Sequence, residues 1–226
     1  MFKRICVGFA AACIASAGWC ANVFAVQGRV EIERAGLRLP GVKGVALRQG
    51  DVVRTFDNGE MVIVFDDGSV AALRNNSELT LDAYRFRGNV QDRSKVINLA
   101  LGTLRYVSAV FARGPKMDTS LRTNTATIGI RGTDFELSYF KAGRNDTDPS
   151  GTYVKVNSGL VAVTGKDGTE VEVGTAQTAF AGEPALAPMG SGGIASAAAT
   201  KLTSENTSKV FNSGGKLDSL LSKPTR

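Results

Sequence analysis

The sequence predicts an all-β domain, built as a β-solenoid or a β-sandwich, behind a cleaved signal peptide and ahead of a flexible C-terminal tail. Three observations carry this. Short runs alternate apolar and polar residues, while apolar residues at helical spacing are scarce. Glycine is abundant, 26 of 226 residues, and the runs end in glycine or Asx-Gly turns. The apolar fraction, 43%, is large enough for a real core.

The first segment, residues 1–25, reads as a secretory signal peptide. Lys3 and Arg4 precede a stretch of small apolar residues, and Val23-Phe24-Ala25 fits a small-x-small cleavage site. That stretch is short for a membrane span, which needs about 20 apolar residues. No transmembrane span is expected after cleavage. The domain itself is expected over 26–187. Val30 and Ile32 open it as an alternating strand that ends at Gly36. Pro40-Gly41 and Gly50-Asp51 are turn signals on either side of short apolar pieces. Asn58-Gly59 and Asp67-Gly68 then separate three strand-like runs, and both pairs suit the positive φ of tight hairpins. The nearly continuous run Met61–Phe65 predicts a strand buried on both faces. Leu79, Leu81 and Ala83 alternate in the next strand. Val96 to Ala112 fits either two strands with a turn at Gly102 or a strand followed by a short helix after Tyr106. Three strands follow Thr152, with turns at Asn157-Ser158-Gly159 and Lys166-Asp167-Gly168. From 188 to 226 the chain turns small, polar and Gly/Ser-rich, the composition of a flexible tail.

Composition also excludes chemistry. There is no histidine, so the usual general base and the commonest zinc ligand are missing. Cys6, Cys13 and Cys20 all lie in residues 1–25, so the expected mature chain has no disulfide, thiolate nucleophile or thiolate metal site. No phosphate-binding loop, nucleophile elbow or zinc-protease helix is present. Catalytic residues, cofactors and metal ligands are therefore expected to be none. Asn145–Asp148 has the alternating oxygens of a calcium loop but lacks the glycine and terminal glutamate, and reads as a solvated loop. The net charge is +6, and +4 once Lys3 and Arg4 are removed with the leader. That mild basicity fits a soluble surface. No basic cluster interleaved with aromatics points to nucleic acid.

The densest motif is "TATIGIRGTDFE", Thr125 to Glu136. Ile128 and Ile130 share one strand face. Gly129 between them predicts a bulge or a close backbone approach, and Gly132 a bend. Thr133 and Asp134 can bond local amides at that bend, and Arg131 can bind Asp134 or collect carbonyls. The residues singled out are Thr127, Gly129, Arg131, Gly132, Thr133 and Asp134, in a mainly structural role with ligand contact as the alternative.

At this point "RTNTATIGIRGTDF" resembles the signature of the FecR-domain family, a T-x-T-A-T-x-G-x-R-G-T-x-F core. "GDVVRTFDNGEMVIVFDDGSVAALRNNSELTL", "LALGTLRYVSA" and "GLVAVTGKDGTEVEVGTAQTAFA" are similar to its neighbouring segments. The resemblance spans roughly Val26 to Ala181. It implies an exported all-β domain, solenoid-like or sandwich-like. In founding members this domain belongs to a periplasmic sensor that relays occupancy of an outer-membrane transporter to a sigma factor. Here no cytoplasmic anti-sigma segment is expected ahead of the domain. The family carries no agreed catalytic residues.

The expected function is thus a non-enzymatic, periplasmic or secreted binding or scaffold module that contacts an envelope protein or polysaccharide. Two alternatives stand beside it. One is a sensor or regulatory module relaying a signal to a membrane partner. The other is a carboxylate-dependent glycan-active enzyme, which would draw on Asp66, Asp67, Asp134 and Glu136.

Overall fold

The computed structural model describes residues 19–86, 93–108, 118–130, 132–141, 150–182, 199–202, 216–217 and 220. Among these the chain forms one 17-stranded hydrogen-bonded sheet that is not closed into a barrel. Its strands fall into two layers that share one long strand. The first layer runs β4 (Ala46–Arg48), β1 (Trp19–Gln27), β6 (Glu60–Phe65), β7 (Val70–Leu73), β9 (Ser94–Val107), β12 (Asp134–Phe140), β13 (Gly151–Ser158), β16 (Thr178–Gly182) and β17 (Ala199–Leu202). The second runs β3 (Leu37–Pro40), β2 (Val30–Arg34), β5 (Val52–Thr55), β8 (Glu78–Arg85), β9 again, β10 (Asp118–Arg122), β11 (Ala126–Ile130), β14 (Leu160–Gly165) and β15 (Glu170–Gly174).

The sharing is the work of Gly102. Residues 94–101 of β9 pair with β8 and β10, and residues 102–107 pair with β7 and β12. Gly102 sits at φ +93°, and a Cβ there would lie 2.1 Å from the Ser77 hydroxyl oxygen. The strand can pass from one layer to the other only because this position has no side chain. The turn expected at Gly102 is therefore a kink within one strand that runs to Val107, and the short helix expected after Tyr106 falls, beyond Ser108, outside the described residues.

Alternation predicts burial well. In β9 Lys95, Ile97, Leu99, Leu104 and Tyr106 point inward, and in β12 Phe135, Leu137 and Tyr139 do. Side chains from both layers join one core cluster, which includes Ile32, Val53 and Leu79 from the second layer and Met61, Ile63 and Val154 from the first. Each such side chain contributes about 1.5–3 kcal/mol through burial. Met61, Val62 and Ile63 are all buried, as the continuous apolar run requires.

The Asx-Gly pairs divide into two kinds. Asp67-Gly68 and Asp167-Gly168 close hairpins within a layer, β6–β7 and β14–β15. Asn58-Gly59 does not: β5 and β6 lie in different layers, so this pair makes an arch between them. Asn157-Ser158-Gly159 is a second arch, from β13 to β14. The arches abut. A Cβ on Gly28, between β1 and β2, would meet the Asn58 carbonyl oxygen at 2.1 Å, and one on Gly159 would meet that of Gly132 at 2.4 Å.

The chain is ordered on both sides of the expected domain limits. Trp19–Ala25, within the expected leader, forms most of β1. Within the expected tail, Ala199–Leu202 pairs with β16, and the amides of Lys216 and Leu217 donate to the Glu60 carboxylate at 3.0 and 2.9 Å. Asn145–Asp148 lies outside the described residues.

Candidate functional site

The signature segment forms β11, an arch, and the start of β12. Thr127 is exposed on β11, and Ile128 is fully buried. Gly129 is an ordinary strand residue, paired with Ser120 on one side and Ala162 on the other without a register shift. A Cβ there would touch only Ala162, at 3.9 Å, so the expected bulge or close approach is not found. The tight contacts fall on Gly159 and Gly102 instead, which face backbone or the start of a side chain across a layer boundary. Gly132 is exposed at φ +74°, the expected bend. Arg131 lies outside the described residues.

Thr133 is buried and locks the arch to the end of β9. Its carbonyl accepts from the Ser108 amide and hydroxyl, both at 2.9 Å, and its amide donates to the same hydroxyl at 2.5 Å. Asp134 takes a bidentate pair from Arg105, at 2.9 and 2.5 Å, and a bond from the Asn157 side-chain Nδ2 at 3.2 Å. The polar staple expected around Asp134 exists, and Arg105 on the neighbouring strand supplies it. Nothing local to the motif points to Arg105; the signal available was the Leu-Arg of "LALGTLRY", whose register with β12 emerges only in the folded sheet.

The upstream threonines have a comparable task. Thr123 accepts from the amides of Thr125 and Ala126, at 3.2 and 3.0 Å, and so closes the β10–β11 turn. The hydroxyls of Thr123 and Thr125 each lie 2.6 Å from that of Thr152 on β13, across the layer boundary. Thr125 and Thr152 are fully buried, so these bonds satisfy groups that water cannot reach.

Other charged groups follow the same rule. Asp51, 1% exposed, accepts from Arg34 at 2.8 and 2.6 Å and from the Arg48 amide at 2.8 Å, which fixes the β4–β5 crossing. Arg74 pairs with Glu136 at 3.0 Å, both nearly buried. Lys95 points between the layers. Its ammonium lies 2.6 Å from Asp67 and 2.5 Å from the Ser69 hydroxyl, over the rings of Phe65 and Tyr106 at 4.3 and 5.3 Å. Tyr106 in turn bonds the Ser69 and Thr119 side chains. Burial pulls the Lys95 ammonium down to about 8 against the attraction of Asp67. For Asp67 burial acts upward, but Lys95 and Ser69 outweigh it and hold the carboxyl below its ordinary range.

A serine beside a lysine with a lowered pKa has the parts of a nucleophilic pair. Here Ser69 and Lys95 are each 1% exposed, so no substrate reaches the hydroxyl. Of the carboxylates weighed for glycan chemistry, Asp67, Asp134 and Glu136 each hold a cation. Asp66 donates its amide to the Cys20 carbonyl at 3.2 Å. No group of three or more potential metal ligands occurs among the described residues. No helix there is long and apolar enough to cross a membrane.

Among the described residues the exposed large apolar side chains are Phe24, Leu37, Val42, Leu101 and Leu220, and two of them lie beside Lys43 near the first-layer edge. Phe24 on β1 and Val42 on the adjacent loop are 42% and 51% exposed, with the Lys43 ammonium 5.8 Å from the Phe24 ring.

An all-β chain whose corners are held by glycines, threonine hydroxyls and paired charges defines the class. Residues 51–162 match the FecR protein family, and the chain is a FecR-domain protein. The match begins at the Asp51 crossing and ends in β14. Two solved structures, both of a protein from Parabacteroides distasonis ATCC 8503 assigned as an anti-sigma factor, are similar in fold. One aligns with a TM-score of 0.50 and the other with 0.49, each at 12% identity over 70% of this chain. The alignment covers 62% of those chains, so this chain spans less than two thirds of their length. No curated protein matches the sequence.

Proposed function

We propose that this protein is an exported, non-catalytic FecR-domain module that works by binding another protein of the cell envelope. The FecR match, which spans β5 to β14, carries this reading, because the domain supports a regulatory or sensor role. The chemistry of the described residues agrees with it. Asp51, Lys95, Asp67, Glu136 and the hydroxyls of Ser69, Thr125 and Thr152 are engaged in corners and crossings, which leaves recognition to the surface. Phe24, with Lys43 beside its ring, and the neighbouring loop residue Val42 are exposed apolar side chains suited to a protein contact.

A second reading makes the module one half of a relay, reporting to a membrane partner. The likeness in fold to a chain assigned as an anti-sigma factor favours it.

The test is capture from the source envelope with the full exported chain, beside a Phe24→Ser/Val42→Ser variant of equal melting temperature. One protein retained in stoichiometric amount by the wild type and lost by the variant is the expected result. Retention of a polysaccharide would replace the protein partner with a glycan. Turnover of an envelope glycan by the purified chain would refute the non-catalytic reading.

A further inference from the structure

We propose that the leader is cut after Ala17 rather than after Ala25, so that the mature chain starts at Gly18 and keeps β1 whole. The inference rests on the export reading above and adds the processing position to it. β1 lies inside its layer, between β4 and β6. Cutting after Ala25 would leave only Val26 and Gln27 of its nine residues. Cys20, Ala21 and Val23, each at most 2% exposed, would leave the core. β4, whose described partner is β1, would lose its sheet contact. The loop before it would lose the bonds from the Val23 amide to the Val45 carbonyl and from the Gly44 amide to the Val23 carbonyl, at 2.9 and 2.8 Å. The edge of β6 opposite β7 would be bare from Val62 to Phe65. Exposed apolar edges of that kind invite aggregation.

The sequence offers a better cut. Ile5–Ile14 is an apolar core of ten residues, inside the roughly 7–15 that a leader uses. Ala15-Ser16-Ala17 follows at once, with alanine at both positions the peptidase reads. Val23-Phe24-Ala25 satisfies the same rule less closely, and its residues are strand residues. The cut after Ala17 also leaves one cysteine, Cys20, in the mature chain. In the fold that thiol is 1% exposed, with its hydrogen donated to the Leu47 carbonyl, and burial raises it to about 12.

The experiment is export of the full precursor, followed by intact-mass analysis and thiol titration of the processed protein. The expected result is a start at Gly18, one reactive thiol per chain in denaturant, and none in the native state. A start at Val26 with no thiol would overturn the inference while leaving export intact. An unprocessed chain starting at Met1 would overturn the export reading and the cut together. As a second arm, Ala17→Phe should block processing and Ala25→Phe should leave it unchanged; the reverse pattern overturns the position. A chain started at Val26 that melts like one started at Gly18 would remove the structural premise.

Discussion

Replacing Lys95 with methionine puts the largest single demand on the structure. The ammonium is 1% exposed, and Asp67 beside it is 13% exposed. Removing one partner of a buried pair costs roughly 3–5 kcal/mol, because the other charge stays behind without compensation. Asp67 retains some water and two bonds from Ser69, at 3.0 and 2.6 Å, so the lower end applies, about 3 kcal/mol. In a domain of this size that lowers Tm by about 6–12 °C. The double variant Lys95→Met/Asp67→Asn removes both charges while the amide oxygen can still accept from Ser69. It should recover to within about 1 kcal/mol of the wild type. Urea unfolding followed by circular dichroism gives all three stabilities. A single-variant loss below about 1 kcal/mol, or a double variant no better than the single, would refute the buried-pair account. The pH dependence supplies an independent check. Lysine titrates near 10.5 when unfolded and near 8 here. Between those values the unfolded chain binds more protons, so this group's contribution to stability rises with pH. From pH 7 to 9 the wild type should gain about 1 kcal/mol relative to Lys95→Met. The comparison stops at pH 9 because the Cys20 thiol, raised by burial to about 12, favours the unfolded state above that point.

The glycines predict opposite outcomes. Gly102→Ala, at φ +93° against Ser77, should cost more than about 2 kcal/mol, whereas Gly129→Val should leave melting within about 2 °C or raise it, since its Cβ meets only Ala162. Equal melting of the two variants would contradict the assigned kink. Thr152→Val strands the Thr125 hydroxyl in the core and should lose about 1–3 kcal/mol by denaturant titration. Arg105→Ala removes the bidentate partner of a partly exposed Asp134, for an expected loss of about 1–2 kcal/mol, and an unchanged stability would show that Asn157 suffices alone.

The β class, the burial on alternating positions and the hairpins at Asp67-Gly68 and Asp167-Gly168 are legible in the sequence because they depend on neighbours along the chain. What the sequence could not disclose is where consecutive strands part company. Asn58-Gly59 has the chemistry of a hairpin, yet its flanking strands pair elsewhere, because positive φ serves an arch as well as a hairpin. For the same reason Gly129 drew attention that belonged to Gly102 and Gly159. A glycine's meaning is set by what faces it, and the facing atoms come from 25 or more positions away in each case: Ser77 for Gly102, Gly132 for Gly159. The density of the signature has the same source. Asp51 at one crossing, Asp67-Gly68-Ser69 under Lys95, Gly102 at the shared strand, Thr123 and Thr125 against Thr152, and Thr133-Asp134 against Ser108 and Arg105 all hold places where the chain turns or changes layer. Each such place must satisfy backbone and side-chain polar groups that a regular sheet would have paired automatically. Residues with few chemical substitutes therefore gather there and take on the look of an active site. A FecR signature read this way marks the frame of the domain, and the partner surface we propose is to be sought in residues with no such constraint, of which Phe24 and Val42 are the first to test.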